Sequence, residues 1–348
     1  MTKNENQSLK YSSFLHWNNQ QINTKEGYSP DSRSGEVYLY DPKLKLATEI
    51  AIVTQRPLLL LGEPGSGKSS YAPFVARNLK WHYHEYNVTG RTEAKDLLWR
   101  FDALGRLRDA QGRIDNIDPE YYVTPGVLWQ AFDYEHALNY VAQHKRENQN
   151  PELAGKSEST VDLNAERDKE RAVVLIDEID KADPNVPNDL LEVIGKNSFT
   201  VDETNDYIQR KIPILNNNKS ANKYGSLLII ITSNGERDLP PAFVRRCIVH
   251  TLEESTEESD FIERWKEIAK LHVGKNIINS KPKMEMINRL AKKCWDLRRD
   301  SLNESRRKPS IAEFLDALRI CFQLNIKPDS AIWEQVERNV LIKNETIS

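Results

Sequence analysis

A glycine-rich segment directly after a short aliphatic run is the feature that most restricts the fold of this chain. The run occupies residues 58–61, and the eight residues that follow it read GEPGSGKS. This matches the pattern GxxxxGK[ST] in the context of strand, loop and helix. Glycines let successive backbone N–H groups point inward at phosphate oxygens, and the following helix adds the positive end of its dipole. The segment therefore predicts a phosphate-binding loop.

Each residue type in this loop has an expected task. Lys68 is expected to reach the β- and γ-phosphates of a nucleotide, and the Ser69 hydroxyl to bind Mg²⁺. The alternative is a glycine-rich turn with an exposed lysine, which the aliphatic strand in front of the loop disfavours. The predicted nucleotide-binding residues are Gly62, Glu63, Pro64, Gly65, Ser66, Gly67, Lys68, Ser69 and Ser70.

Two further aliphatic runs lead into polar residues. Residues 173–176 are followed by Asp177 and Glu178, and residues 227–231 lead to Asn234. Consecutive residues at a strand end point to opposite faces, so one acid can hold Mg²⁺ while its neighbour polarises a water molecule. Ligands gather at the carboxyl ends of parallel strands, where the Asn234 amide could orient that water or the γ-phosphate. Helix capping and turn formation are the alternatives.

A pair of adjacent arginines, Arg245 and Arg246, follows the segment PPAFV and precedes a predicted strand. An arginine that a neighbouring subunit presents can stabilise the charge that develops on a transferring phosphoryl group. Ordinary surface arginines are the alternative. The pair is therefore a candidate for a catalytic contact between subunits.

Short, β-branched runs separated by helical patterns indicate crossover units and an α/β fold around a parallel sheet. Two weaker strand patterns, at residues 81–88 and 247–252, interleave polar residues, as edge strands do. Helical patterns between the strands lie at residues 69–79, 125–141 and 188–194. After about residue 255 only helical patterns remain, near residues 256–271, 284–299, 310–323 and 330–341.

These patterns divide the chain into a core and a smaller helical domain. We expect a polar, loosely ordered tail at residues 1–35, a nucleotide-binding core at 36–255 and a helical lid at 256–341. A polar insertion is expected within the core at about residues 142–171, and residues 342–348 form a second tail.

Composition narrows the class of protein further. The sequence has 49 Lys and Arg against 52 Asp and Glu, a net charge of −3, which removes the strongest electrostatic argument for a dedicated nucleic-acid binder. The longest unbroken aliphatic run is far shorter than a membrane span of about 20 residues, and the N-terminal region lacks an apolar signal segment. The three cysteines form no CxxC pair. A cytoplasmic location without a disulfide framework is expected.

Taken in order, these motifs resemble those of the AAA+ ATPases, and within them the MoxR-like branch. The resemblance covers about residues 36–325 and rests on GEPGSGKS, VVLIDEID, ITSN and LPPAFVRRC. Segments 87–92, 96–98 and 124–128 resemble that branch's insertion in the second helix, and segment 198–203 resembles its hairpin.

This resemblance implies a three-layer αβα P-loop NTPase core with a parallel five-stranded sheet in the order 5-1-4-3-2, followed by a small all-α lid. It implies ATP as the nucleotide, with Mg²⁺ held by Ser69 and Asp177. Glu178 would be the general base, Asn234 would sense the γ-phosphate, and Arg245 or Arg246 would act in trans. A ring of usually six subunits follows from that last role.

The lid departs from the family pattern at one point. Residues 306–312 read RRKPSIA and place no arginine in the first turn of the helix, where the family often has one that touches the γ-phosphate. Arg307 or Lys308 could substitute from the preceding loop. Cations concentrate there, because residues 298–308 contain five Lys and Arg against two acids.

The expected activity is ATP hydrolysis that remodels or activates a protein partner. The resemblance suggests a partner with a von Willebrand factor A domain, in a bacterial conflict or signalling system. No nucleic-acid-binding module is recognisable. Two alternatives stay open: an ATP-driven assembly switch that gates an effector, and a motor subunit of a DNA-restriction-type complex. Residues 97–111 could line a central pore or pack against the subunit.

Overall fold

The structure is a computed structural model whose described residues fall into two compact units. The described residues are 13–15, 17, 35–112, 117–144, 164–211, 225–273, 278–304, 307–328 and 330–342. One unit contains the described residues of Met1–His16, Asp41–Leu61 and Val75–His250. The other contains those of Trp17–Tyr40, Gly62–Phe74 and Thr251–Ser348, so the glycine-rich loop groups with the C-terminal helices. Most of the predicted tails and of the polar insertion lies outside the described residues.

Nine strands are found in the described part of the chain. They are β1 (Leu58–Gly62), β2 (Trp81–Asn87), β3 (Trp99–Phe101), β4 (Val123–Pro125), β5 (Asp168–Asp177), β6 (Ser198–Val201), β7 (Asp206–Gln209), β8 (Leu227–Ser233) and β9 (Ile248–Leu252). Five of them form the main sheet, in the order β2-β5-β8-β1-β9. The others form two antiparallel hairpins, β3–β4 and β6–β7.

The main sheet is parallel, flanked by helices, and has the fold class predicted from the sequence. The strand numbers differ in detail from the predicted ones, because the numbering here also counts the four hairpin strands, which occur in the chain between strands of the main sheet. Counted within this sheet alone, the order is 2-3-4-1-5, which read from the other edge is 5-1-4-3-2. The predicted edge strands, β2 and β9, lie at its two edges.

Burial explains why the central strands carry unbroken aliphatic runs. All seven residues of β8 are buried, and β8 is paired in parallel with β5 on one side and β1 on the other. A strand in this position has both faces covered, so polar alternation would place polar side chains in the core. Strand β5 is longer than predicted because its first residues, from Asp168, are exposed and polar.

Eleven α-helices are described in these ranges. They are α1 (Pro42–Thr54), α2 (Lys68–Leu79), α3 (Ala103–Gln111), α4 (Val127–Phe132), α5 (Tyr134–Gln143), α6 (Asn185–Lys196), α7 (Pro241–Val244), α8 (Glu258–His272), α9 (Lys281–Glu304), α10 (Ile311–Gln323) and α11 (Ala331–Val336). Helices α1 and α3 were not predicted from the sequence. The last predicted helix ends as a π-helix over Glu337–Ile342.

One predicted helix is broken into two. The helical pattern over residues 125–141 forms α4 and α5, with Asp133 between them at φ −149° and ψ 85°. The Asp133 carboxylate accepts a hydrogen bond from the backbone N–H of His136 and so caps α5. Aspartate side chains compete in this way with the helical backbone, which is the physical reason for the break.

Part of the predicted N-terminal tail is packed. Leu15 is buried, and its backbone N–H donates to the Glu49 carboxylate at 3.0 Å. In the other unit, Trp17 packs edge-on against the rings of Tyr40 and Phe74. The expectation of a loosely ordered tail is therefore wrong at these two positions. Each is an isolated apolar residue that contacts residues distant in the sequence, which a local pattern does not reveal.

The C-terminal helices, within residues 258–342, have a hydrophobic core of their own. The compact unit that contains them is called the helical unit below. Trp265, Phe314 and Leu290 are fully buried there, and α8, α9, α10 and α11 all contribute residues to it. Among the helices in the described residues, none has both the length and the apolar character needed to cross a lipid bilayer.

The three cysteines are buried, and we expect them to be unreactive in the native protein. Burial raises the pKa of Cys247 to about 12 and that of Cys321 to about 11, and it raises the pKa of Cys294 as well. Because the thiolate is the reactive form, thiol counting with an aromatic disulfide at about pH 8 should find no native thiol and all three after denaturation. Rapid native reaction of any of them would contradict this burial.

Candidate functional site

The glycine-rich loop has a backbone geometry that depends on its glycines. It connects the end of β1 at Gly62 to the start of α2 at Lys68, and its three glycines have φ values of 151°, 75° and 92°. A side chain on Gly65 would place its Cβ 2.4 Å from the Cβ of Ser310. Glycine is thus required at this position both for backbone conformation and for space.

The polar groups of this loop suit a phosphate. The Lys68 side chain is buried, and its ammonium donates to the carbonyl oxygens of Gly62 and Glu63 at 2.7 and 2.8 Å. The buried Ser66 hydroxyl has no hydrogen-bond partner within the described residues. Phosphate oxygens would supply acceptors to this hydroxyl and to the N–H groups at the helix start. Ser69 and Ser70 lie in the first turn of α2, partly buried.

A single buried hydroxyl ties the two adjacent acids together. The Thr232 hydroxyl, at the end of β8, donates to the Asp177 carboxylate at 2.5 Å and accepts from the backbone N–H of Glu178 at 2.9 Å. Thr232 is fully buried. This contact fixes where the carboxylates stand relative to β8, and the sequence analysis did not single Thr232 out as a functional residue.

Glu178 has a backbone conformation that is unusual for its residue type. Its φ of 59° and ψ of 48° lie in the left-handed region, which costs free energy for any residue with a Cβ. The amide of Asn234 donates to one of its carboxylate oxygens at 3.1 Å, and the Lys181 ammonium donates to the other at 2.5 Å. This hydrogen bond raises the pKa of Lys181. Asn234 and Glu178 are therefore in direct contact.

Asp180 is a supporting residue that the sequence analysis missed. Its buried carboxylate accepts from the backbone N–H groups of Asn234 and Glu236 at 3.1 and 2.9 Å. It thereby holds the loop after β8 against the turn after β5. The only signal in the sequence is a third acid two residues after Glu178, which is indistinguishable from a solvated charge without the structure.

Arg245 and Arg246 have exposed side chains directly after α7. Their backbone carbonyl oxygens both accept from the guanidinium of Arg56. Among the described residues, no ion pair involves either arginine. Arg56 thus fixes the backbone of the turn that carries them, while both side chains are exposed to solvent. The described residues show neither arginine in an ion pair with an acid of its own chain.

Helix α3, in the insertion between β3 and β4, exposes apolar side chains. Leu104 is 80% exposed and Leu107 is 55% exposed, whereas Leu97 and Trp99 just before them are buried. Residues 97–111, which were expected to line a pore or to pack against the subunit, therefore have two environments. Leu97 and Trp99 lie in the core, and the leucines of α3 lie on the surface.

The comparisons with known proteins agree with this fold. A family model described as AAA domain (dynein-related subfamily) matches residues 57–247, more than half of the chain. The chain belongs to this family, and its domain is an AAA+ ATP-binding P-loop ATPase domain. No curated protein shows significant similarity.

Solved structures give a weaker likeness. A structure from Cytophaga hutchinsonii, described as a "putative ATPase", is 16% identical with a TM-score of 0.37, over 89% of this chain and 83% of that chain. A likeness at this level carries no information about function. The MoxR-like branch stays a prediction.

We expect Thr232→Val to destabilise the protein by about 1–3 kcal/mol, because a backbone N–H and a carboxylate lose a buried partner. Urea unfolding measures this, and Thr232→Ser should recover most of the loss. The matched control is Thr54→Val, which removes an exposed hydroxyl that donates to the carbonyl oxygen of Ile50. Equal effects of the two valine substitutions would contradict the role of Thr232.

Proposed function

We propose that this protein is an oligomeric, Mg²⁺-dependent ATPase of the MoxR-like branch that uses ATP hydrolysis to remodel or activate a protein partner. The observation that carries the proposal is the Glu178 carboxylate, held between an amide and an ammonium in a strained turn at the end of a buried strand. Strain of this kind is kept at functional sites when the surrounding contacts impose it.

The loop between β1 and α2 would bind the nucleotide phosphates. The unpaired Ser66 hydroxyl and the Lys68 ammonium are suited to the phosphates, and Lys68 would leave its carbonyl partners to reach them. Asp177 and Ser69 offer the hard oxygen ligands that Mg²⁺ prefers. Bound Mg²⁺ would neutralise charge on the phosphates. No cluster of three or more His, Cys, Asp or Glu side chains suited to a metal occurs among the described residues, and a nucleotide-bound Mg²⁺ does not require one.

Glu178 would act as general base. A carboxylate oxygen of Glu178 accepts a proton from the attacking water, and the hydrogen bond from Asn234 orients that carboxylate. Lys181 places a positive charge 2.5 Å from the second oxygen. Asp180 fixes the backbone of Asn234 and thus acts as a positioning residue.

Two surface features support an assembly that acts on a partner. The exposed side chains of Arg245 and Arg246, on a turn held by Arg56, are available to the phosphates of a neighbouring subunit in a ring, which we expect to contain six subunits. Leu104 and Leu107 are apolar and exposed beside Arg108, as a contact for a protein partner would be. A von Willebrand factor A domain is the partner that the MoxR-like resemblance favours.

Two substitutions separate binding from hydrolysis. Lys68→Ala should weaken ATP binding about 10- to 100-fold, because the ammonium that would bind the phosphates is lost. Glu178→Gln should bind ATP normally and lower turnover about 10²- to 10⁴-fold, because the amide accepts no proton. Calorimetry and phosphate release measure the two effects.

The controls for this pair are Lys196→Ala and Glu192→Gln, which alter an exposed ion pair on α6. Both should leave binding and turnover unchanged. Unaltered ATP affinity in Lys68→Ala, or normal turnover in Glu178→Gln, would refute the respective assignment.

The arginine role is tested by mixing subunits. Arg245→Ala and Arg246→Ala should each be assayed alone and with Glu178→Gln, which keeps its arginines but lacks the base. If one arginine acts in trans, the corresponding mixture should recover phosphate release that neither protein shows alone, because a subunit with an intact base then meets an intact arginine. Absence of recovery at every mixing ratio would place the arginines outside the reaction.

A further inference from the structure

The carboxylate of Glu63, in the phosphate loop, is bound by two cations of the helical unit. Arg298, on α9, lies 2.5 Å from one of its oxygens, and the ammonium of Lys308 lies 2.6 Å from the other. Both cations belong to the same compact unit as the loop. A negative side chain thus stands within the loop predicted to receive a polyanion.

The position of Glu63 makes this contact unusual. The positive end of α2, which begins at Lys68, favours an anion close to the loop. Glu63 is itself an anion there, and its backbone carbonyl also accepts from the Lys68 ammonium. A bound nucleotide would therefore bring its phosphate charges close to an existing negative charge on the loop.

The two cations are held in place by more than Glu63. The Arg298 guanidinium donates to the carbonyl oxygen of Pro309 at 2.8 Å and lies over the ring of Phe261 at 5.9 Å. Ser310, two residues after Lys308, caps α10 through its hydroxyl and packs against Gly65. Arg298 and the start of α10 would therefore keep their places if the Glu63 carboxylate moved away.

The paired side chains differ in exposure. The Glu63 side chain is about half exposed, whereas that of Arg298 is 14% exposed. Burial alone would raise the pKa of Glu63, but the hydrogen bond from Lys308 and the charge of Arg298 lower it below its usual value. The carboxylate is therefore ionised at neutral pH, and its exposed part borders solvent.

We propose that Glu63 is an internal competitor of the nucleotide: its carboxylate occupies Arg298 and Lys308 when the loop is empty, and nucleotide phosphate displaces it from them. This proposal rests on the proposed function, because it concerns the same nucleotide site. A guanidinium and an ammonium bind phosphate as well as carboxylate, so the exchange requires no rearrangement of the cations. Arg298 and Lys308 would thereby respond to the occupancy of the loop.

The test is the affinity for ADP, for a non-hydrolysable ATP analogue and for adenosine, measured by calorimetry on the full chain with Mg²⁺. Glu63→Gln should bind both phosphorylated ligands about five- to tenfold more tightly, because the competing charge is lost. Adenosine, which has no phosphate, should bind equally to both proteins. Glu258→Gln is the matched control, since Glu258 is paired with Lys292 at 2.5 Å in the same helical unit and is equally exposed.

A second set of variants distinguishes competition for Arg298 and Lys308 from simple repulsion between the Glu63 carboxylate and the phosphates. The double substitution Arg298→Met with Lys308→Met removes the cations and should weaken ADP binding. Adding Glu63→Gln to it should then bring no gain if Glu63 acts by occupying these cations. A gain that persists without the cations, or unchanged or weaker ADP binding in Glu63→Gln alone, would overturn the proposal. Thermal unfolding of each variant identifies any loss of affinity that results from misfolding.

The same measurements distinguish this proposal from the proposed function. If the wild-type protein binds ADP and Lys68→Ala does not, but Glu63→Gln has no effect, only the competition is wrong. If the wild-type protein and Lys68→Ala bind ADP equally weakly, the assignment of the nucleotide site is wrong, and the proposed competition is refuted as well.

Discussion

The parallel pairing of β5 with β8 is the constraint on which the acidic part of the site depends. Residues 172–176 of β5 are in register with residues 227–231 of β8, so the two strands end side by side. Their ends place Thr232 against Asp177 and the loop of Asn234 against Glu178. Because residues 172–176 of β5 and all of β8 are buried, a slip of register would expose aliphatic side chains and separate these polar groups.

Strain at Glu178 is a consequence of the same arrangement. The chain turns sharply after Asp177, and a residue with a Cβ takes the left-handed conformation at that point. Contacts on both sides compensate for it: Thr232 accepts from the Glu178 N–H, and Asp180 holds the facing loop. The acids therefore have defined positions before any ligand binds, which reduces the reorganisation that a reaction would require.

The phosphate loop depends on contacts of a different kind. Its glycines permit positive φ values, and Gly65 lets the start of α10 approach closely. That approach brings Arg298 and Lys308 to Glu63, so the loop and the C-terminal helical region are joined by ion pairs as well as van der Waals contacts. The near-neutral net charge of the chain conceals this local pairing of opposite charges, which only appears when the groups are located in space.

Much of the fold followed from local patterns. The aliphatic runs located the central strands because strands covered on both faces need continuous apolar residues, and polar interleaving located the edges. The same patterns missed α1 and α3, and they merged α4 with α5, because helix caps such as Asp133 act through one hydrogen bond that periodicity does not register. Leu15 and Trp17 were assigned to a tail because their packing partners lie far away in the sequence.

The sequence by itself determined the phosphate loop, the adjacent acids and Asn234, because each is a compact motif next to a strong strand pattern. Only the tertiary structure decided which groups support them. Thr232, Asp180 and Lys181 contact the predicted residues, and Arg298 and Lys308 reach Glu63 from more than two hundred residues further along the chain. Hydrogen bonds and ion pairs act over a few ångströms in space, and chain separation says nothing about that distance until the fold is formed.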